Sequence, residues 1–267
     1  MSPSPRRLRK KVTACVVIAL AACLVYAGFA VFFDEAVFLR QNTIYRGGAA
    51  KKLVALTFDD GPSPEWTPQI LEELRKADVK ATFFMLGKHV EAYPDVARAV
   101  AAAGHEIGNH TYDHRVLLYF TPAELTNALR RTDEAIRAAT GQTTRCFRPP
   151  KAWLTTAEKE QIRAMGYETV LWSLNSKDWV RWDDKLIVKY LVHHVTGGDI
   201  ILFHDSGGVF KAQGGDRHQT VQAIPRLIKA LRAEGYRFVT VSELQKEDPA
   251  PAAPPPPAAA AGQGSAR

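Results

Sequence analysis

Two adjacent carboxylates, Asp59 and Asp60, end a short apolar run and are followed by Gly61-Pro62. Side by side, such groups repel unless a cation or a shared proton separates their roles. Further on, His110 and His114 stand four apart, a spacing that puts two imidazoles on one side of a helical turn, where they can grip one metal. One Asp and two His with open positions suit Zn²⁺ or another borderline divalent ion with bound water. Three more polar clusters follow: Arg148-Pro149-Pro150, Asp178-Trp179 and Leu202-Phe203-His204-Asp205. Singly each has an ordinary reading, since Asp-Gly-Pro is commonly a plain turn and His-x-x-x-His is often a solvated helix face. All five, in order and each closing an expected strand, are more than a structural chain needs.

The elements that must position them alternate. Strands are expected over 53–58, 81–86, 105–109, 145–148, 168–174, 200–203 and 237–241. Helices are expected over 67–77, 94–103, 156–165, 183–195 and 220–234, with a long one opened by Thr121-Pro122-Ala123-Glu124 and closed at Gly141. That opening matches a capping box with proline at the first helical position. Seven strands alternating with helices predict an α/β fold, a parallel sheet rolled into a barrel or nearly so. In such folds chemistry gathers where strands end.

The rest of the chain bounds the setting. At 267 residues, 46% hydrophobic and 24% charged, there is material for one sizeable core, which excludes a disordered chain, a collagen-like repeat and a disulfide-stapled miniprotein. The net charge is +7, but without Arg6, Arg7, Arg9, Lys10 and Lys11 only +2 is left, so the basic excess is a topology signal and no nucleic-acid partner is expected. Residues 1–11 read as a cytoplasmic basic segment and 12–33, uncharged throughout, as a transmembrane signal-anchor long enough for a bilayer core of roughly 30 Å. The alternatives are a lipoprotein anchored at Cys23 and a secreted chain cleaved after Ala27-Gly28-Phe29-Ala30; all three export the domain. A linker (34–50), a catalytic domain (51–245) and a disordered Pro/Ala-rich tail (246–267) follow. Cys146 is the one cysteine of that domain and reads as a buried apolar residue.

On these motifs the sequence resembles the NodB-type polysaccharide deacetylases, carbohydrate esterase family 4: Thr57–Pro62 reads as TFDDGP and His110–His114 as H-[ST]-x-x-H. Arg148-Pro149-Pro150, Asp178-Trp179 and Leu202-Phe203-His204 follow as the third, fourth and fifth motifs. The resemblance implies a deformed (β/α) barrel that hydrolyses N-acetyl groups on sugar polymers. It implies one divalent ion, Zn²⁺ ahead of Co²⁺, Ni²⁺ or Mn²⁺, held by Asp60, His110 and His114. Asp59 would be the base and His204 the acid, with Asp178 tuning His204 and Arg148 tuning the carboxylates. Leu202 and Trp179 would line the pocket for the acetyl methyl. Two departures stand out. Lys151-Ala152 replaces the usual Tyr-Gly, leaving a backbone N–H for the oxyanion and adding a charge that either favours an anionic sugar or is a solvated surface lysine. Asn175 stands where the fourth motif often begins with Asp.

The remaining polar residues read as structural: His193-His194 on a helix, His89 and His105 in core elements, and Asp113 ordering its loop. The glycine-rich stretch 207–218 reads as a mobile loop from which Arg217 or His218 reaches substrate. The expected function is a membrane-tethered deacetylase acting on N-acetylated wall glycan, most of all peptidoglycan, with no obligate protein partner; chitin oligomers and acetylated xylan are alternative substrates. A glycan-binding pseudoenzyme is the second reading. An iron oxygenase, using two His and one Asp as its triad, is the third, and alternating strands and helices fit poorly with the all-β barrels usual there.

Overall fold

The structure is a computed structural model that describes residues 5–34, 40–180, 183–207 and 214–250. The tail beyond 250 and residues 208–213 of the glycine-rich stretch lie outside the described residues. In chain order the elements are α1 (Pro5–Asp34), β1 (Leu53–Asp59), α2 (Thr67–Lys76), β2 (Thr82–Met85), α3 (Gly87–Ala92) and α4 (Pro94–Ala102). Next come β3 (Glu106–Asn109), α5 (Pro122–Thr140), β4 (Cys146–Phe147), α6 (Thr156–Ala164), β5 (Glu168–Thr169) and β6 (Leu174–Asn175). Last are α7 (Asp184–His194), β7 (Ile200–His204), α8 (His218–Ala233), β8 (Arg237–Phe238) and α9 (Val241–Glu247).

The strands run in the order β5-β4-β3-β2-β1-β7-β6, with β8 beside β1, and every pairing among them is parallel. Laid flat, seven strands would put β5 and β6 about 29 Å apart at the usual spacing of about 4.8 Å. Only residues 170–173 join those two edges, and so short a segment spans at most about 18 Å. The sheet must therefore roll up, giving the deformed (β/α) half-barrel. The expected strand 168–174 is thus two short strands on opposite edges. Between them the chain leaves the ladder, bridging instead to Ile44 in the segment before β1.

Alternation along the strands sorts the side chains. Val54, Leu56 and Phe58 of β1, Phe83 and Met85 of β2 and Ile201 and Phe203 of β7 face outward and bury Ile70 and Leu74 of α2 and Ile224 and Leu227 of α8. Each such side chain, taken fully from water, stabilises the fold by about 1.5–3 kcal/mol. Leu53, Ala55, Phe84, Ile200 and Leu202 face inward with Trp172, and Val241 and Leu244 of α9 join them. On the same inward parity, at the strand ends, stand Thr57, Asp59 and His204. The expected helices form within a residue or two of their bounds, Thr121 closing its capping box with Glu124 and Gly141 taking the left-handed φ of 73° that ends α5.

The uncharged run 12–33 lies within α1, where Val12, Val16, Val17, Ile18, Leu20, Leu24 and Val25 are exposed. Among the described residues, however, no helix is long and apolar enough to cross a membrane, so the expected membrane-spanning segment is not found there.

Candidate active site

Asp59 and Asp60 leave the end of β1 in different directions because Asp60 adopts a left-handed φ of 76°. Asp59 turns into the barrel, where its Oδ1 accepts from Arg148 Nη1 at 2.7 Å. Arg148 is fully buried and has every face engaged. It donates to Thr57 Oγ1 at 2.8 Å, to the Val170 carbonyl at 3.3 Å and to the Leu171 carbonyl at 3.0 Å. Its guanidinium lies 4.0 Å from the centre of the Phe84 ring. One side chain thus does two jobs: it satisfies carbonyls where the ladder breaks between β5 and β6, and it holds Asp59. Burial draws Arg148 below its ordinary pKa while the charge of Asp59 pulls it back; a guanidinium stays charged in either case.

Asp60 points to the other side, towards two imidazoles. Its Oδ1 lies 3.2 Å from His114 Nε2 and 3.5 Å from His110 Nε2. The spacing of four residues does not come from a helix, as expected from sequence. Residues 110–114 form a loop in which Thr111 and His114 have φ of 68° and 64°, and that winding brings both rings inward. His110 Nδ1 donates to the Arg148 carbonyl at 2.7 Å, which fixes the ring's orientation and turns Nε2 towards Asp60. Burial holds His114 below its ordinary pKa, against the pull of the Asp60 charge. Burial opposes the charge on Asp60, but the neighbouring imidazoles, His114 foremost, outweigh it and hold the carboxyl well below the usual carboxylate range.

These three groups could hold a metal ion, their ligand atoms lying within 4.8 Å of one another. The fit is supported by an anomaly: Asp60 Oδ1 is buried without a hydrogen-bond partner. Leaving a buried acceptor unsatisfied costs about 1–3 kcal/mol, more when charged, and a divalent cation at this point would remove that cost.

Across the ladder from Asp59 stands His204, its register partner on β7. Its Nδ1 lies 2.8 Å from Asp178 Oδ1, and its backbone N–H donates to Asp178 Oδ2 at 2.9 Å. Thr220 Oγ1 donates to the same Oδ2 at 2.8 Å. Burial works against the imidazolium, but the charge and hydrogen bond of Asp178 prevail and raise the His204 pKa. Asp178 is in turn held below its ordinary value, burial being outweighed by His204.

The remaining expected residues fall into place differently. Leu202 is buried in the inward cluster two residues before His204, Trp179 is half-buried beside Asp178, and Lys151 is exposed. Lys151 sits in a short 3₁₀ turn, Pro150–Ala152, with φ of 58°. Asn175 Oδ1 accepts from the Lys177 N–H at 2.9 Å and shapes the turn before Asp178.

Arg217 is buried rather than reaching outward from the loop. It is 2% exposed and donates to the carbonyls of Ser206, Gly207 and Asp178 at 2.9, 2.7 and 3.2 Å, tying the loop after β7 to the acid's partner. His218 is exposed and pairs with Gln222. His105 accepts from the Ala81 N–H, burial lowering it to about 4.

Two residues do more than the sequence suggests. Asp205 is buried behind the Asp60–Pro62 turn, where Thr67 Oγ1 donates to its Oδ2 at 2.6 Å. Burial, with the charges of Asp60 and Asp59 behind it, pushes Asp205 up to about 7. Only glycine fits at 61, since a Cβ there would stand 2.1 Å from Asp205 Oδ2. The other residue is His89, whose ring donates from Nδ1 to the Asp60 carbonyl at 2.7 Å. Asp205 shared a motif with His204, a signal that could have marked it; His89 had none.

Known proteins are similar to this chain in sequence and fold. A family model described as polysaccharide deacetylase matches residues 46–170. The chain is 39% identical over 196 residues to a peptidoglycan-N-acetylglucosamine deacetylase of Bacillus cereus, covering 73% of this chain and 88% of the relative. A solved structure of a peptidoglycan N-acetylglucosamine deacetylase superposes with a TM-score of 0.72 at 32% identity, over 76% of this chain and 92% of the other. A family pseudoenzyme from Bacillus anthracis superposes with a TM-score of 0.69 at 31% identity, over 76% and 68%. The chain belongs to the polysaccharide deacetylase family, NodB-type hydrolases of carbohydrate esterase family 4 that cleave N-acetyl amide bonds on sugar polymers.

Proposed function

We propose that this protein removes acetyl groups from N-acetylated sugars of peptidoglycan outside the cytoplasm, with one divalent ion at Asp60, His110 and His114. The observation that carries the reading is the buried, partnerless Oδ1 of Asp60 facing two imidazole nitrogens. Two further groups flank it, each held by a charged partner. Zn²⁺ is the proposed ion, because two imidazoles and a carboxylate with open positions suit it.

An amide is a poor electrophile with a poor leaving group. A bound ion would polarise the acetyl carbonyl and lower the pKa of water from about 15.7 towards about 7. Asp59, kept in place by Arg148, accepts the proton of the attacking water as its oxygen bonds to the carbonyl carbon. The oxyanion so formed accepts from a backbone N–H of the turn at Lys151. His204, cationic through Asp178, gives its proton to the nitrogen as the C–N bond breaks, leaving acetate and a free amine. Leu202 and Trp179 would border the acetyl methyl, and the Lys151 ammonium would favour an anionic sugar unit.

Peptidoglycan as substrate is supported by the names of the relatives. Export is supported by the basic stretch Arg6–Lys11 ahead of the uncharged run 12–33. Fractionation of cells producing the full chain should find it with the membrane or outside it, and recovery in the cytoplasm alone would contradict export. Purified protein with Zn²⁺ or Co²⁺ should release acetate from wall fragments. Glycan binding without acetate release, on any glycan and with any divalent ion, would favour a pseudoenzyme like the Bacillus anthracis relative.

A further inference from the structure

The helix α3 is short and its sequence is unremarkable, yet its first turn touches both loops that carry the proposed ligands. Leu86 N–H donates to the Gly61 carbonyl at 2.9 Å, and His89 Nδ1 donates to the Asp60 carbonyl at 2.7 Å. On the other side, Gly87 N–H donates to the Thr111 carbonyl at 3.0 Å and Lys88 N–H to the Tyr112 carbonyl at 2.9 Å. The first N–H groups of a helix have no partner within it; here they are matched to the carbonyls of two loops far apart in sequence. The approach is so close that a Cβ on Gly87 would stand 2.7 Å from Thr132 Oγ1 and 2.8 Å from Tyr112 Cδ2.

Both loops need such support. Asp60, Thr111 and His114 are all non-glycine residues with φ between 64° and 76°. Left-handed backbone of this kind is strained and persists only where the surroundings over-determine it. His89 is the one side chain of the four contacts, 3% exposed. Its target is the carbonyl of the residue whose carboxylate is to hold the ion. Because a carbonyl can only accept, Nδ1 carries the proton, and burial lowers the pKa of the ring.

We propose that His89 is a positioning residue of the metal centre: with Gly87 it forms a brace that fixes the Asp60 loop against the His110–His114 loop, and so sets the affinity for the ion. This rests on the reading of Asp60, His110 and His114 as ligands. Partners of ligating groups, when removed, lower metal affinity by about 10–100-fold.

The test is Zn²⁺ titration of metal-free protein by calorimetry, with the melting temperature of each metal-free variant measured alongside. His89→Leu, which lacks the donor, should weaken binding at least about tenfold, while His89→Asn, whose side-chain N–H replaces Nδ1–H, should restore it. Equal affinity in wild type and a folded His89→Leu overturns the brace and leaves the metal centre intact. No binding by wild type overturns the metal centre itself. Loss of affinity in both variants, tracking a fall in melting temperature, would make His89 merely a core residue. Should His89→Leu not fold, NMR of the wild-type imidazoles decides. A slowly exchanging Nδ1 proton on His89 that shifts when Zn²⁺ is added is expected, and an Nε2–H tautomer indifferent to Zn²⁺ would refute the proposal.

Discussion

The two ends of the barrel treat their carboxylates in opposite ways. At the amino-terminal ends of the strands, the Glu106 carboxylate accepts from Thr82 Oγ1 at 2.7 Å, from the Ser242 N–H at 3.2 Å and from the Ser242 hydroxyl, with Cys146 Sγ adding a weak contact at 3.6 Å. Nearby, Asp248 accepts from the Lys51 N–H at 2.9 Å and its carbonyl accepts from the Gly48 N–H at 2.6 Å, stitching the segment before β1 to the end of α9. At the carboxyl-terminal ends, Asp60 Oδ1 and Asp205 Oδ1 are buried with no partner, and left-handed non-glycine residues crowd the ligand loops. A saturated polar cluster locks a fold; an unsaturated one in a strained setting is held ready for something that is not protein. The comparison locates the chemistry without reference to any relative.

Substitutions at either end of the barrel probe this difference. The largest effect is expected for Asp59→Asn, which keeps the shape and the contact to Arg148 but cannot accept a proton; kcat for acetate release should fall by about 10²–10⁴-fold. Unchanged turnover would remove Asp59 as the base. Arg148→Met should be costly to the fold itself, because it leaves a carboxylate without its cation and two carbonyls without donors. Breaking a buried pair in this way costs about 3–5 kcal/mol, to be read from the midpoint of denaturant unfolding; a midpoint near wild type would contradict it.

Asp178→Asn tests the acid. Asp178 raises the pKa of His204, so the protonated form is present below that value and lost as pH rises through it. Removing the partner should move the alkaline limb of the kcat/KM profile to lower pH, and an unmoved limb would assign it to another group. The smallest effect belongs to the saturated end. Glu106→Gln should lower stability by about 1 kcal/mol and leave acetate release unchanged; a large loss of activity there would undo the contrast between the two ends.

Much of this was legible in the chain. The polar clusters could be read because each is contiguous and closes an apolar run, as Thr57–Pro62 does. The long helix could be read because Thr121, Glu124 and Gly141 mark both its ends. What escaped depends on contacts that leave no local trace. Val170-Leu171-Trp172 looks like the middle of a strand, yet two of its carbonyls go to the side chain of Arg148. The spacing of His110 and His114 fits a helical turn as well as the left-handed loop that is found. Arg217 reads as available to substrate because it follows a glycine-rich stretch, whereas three carbonyls claim its guanidinium. His89 looked like core because its partner is a backbone carbonyl, which no sequence pattern announces.

If Asp60, His110 and His114 hold one divalent ion between them, zinc added to metal-free crystals will be found there by anomalous scattering at the zinc edge. A single strong peak is expected within bonding distance of Asp60 Oδ1, His110 Nε2 and His114 Nε2, absent from crystals of His114→Ala. A peak elsewhere, or one that survives that substitution undiminished, would contradict it.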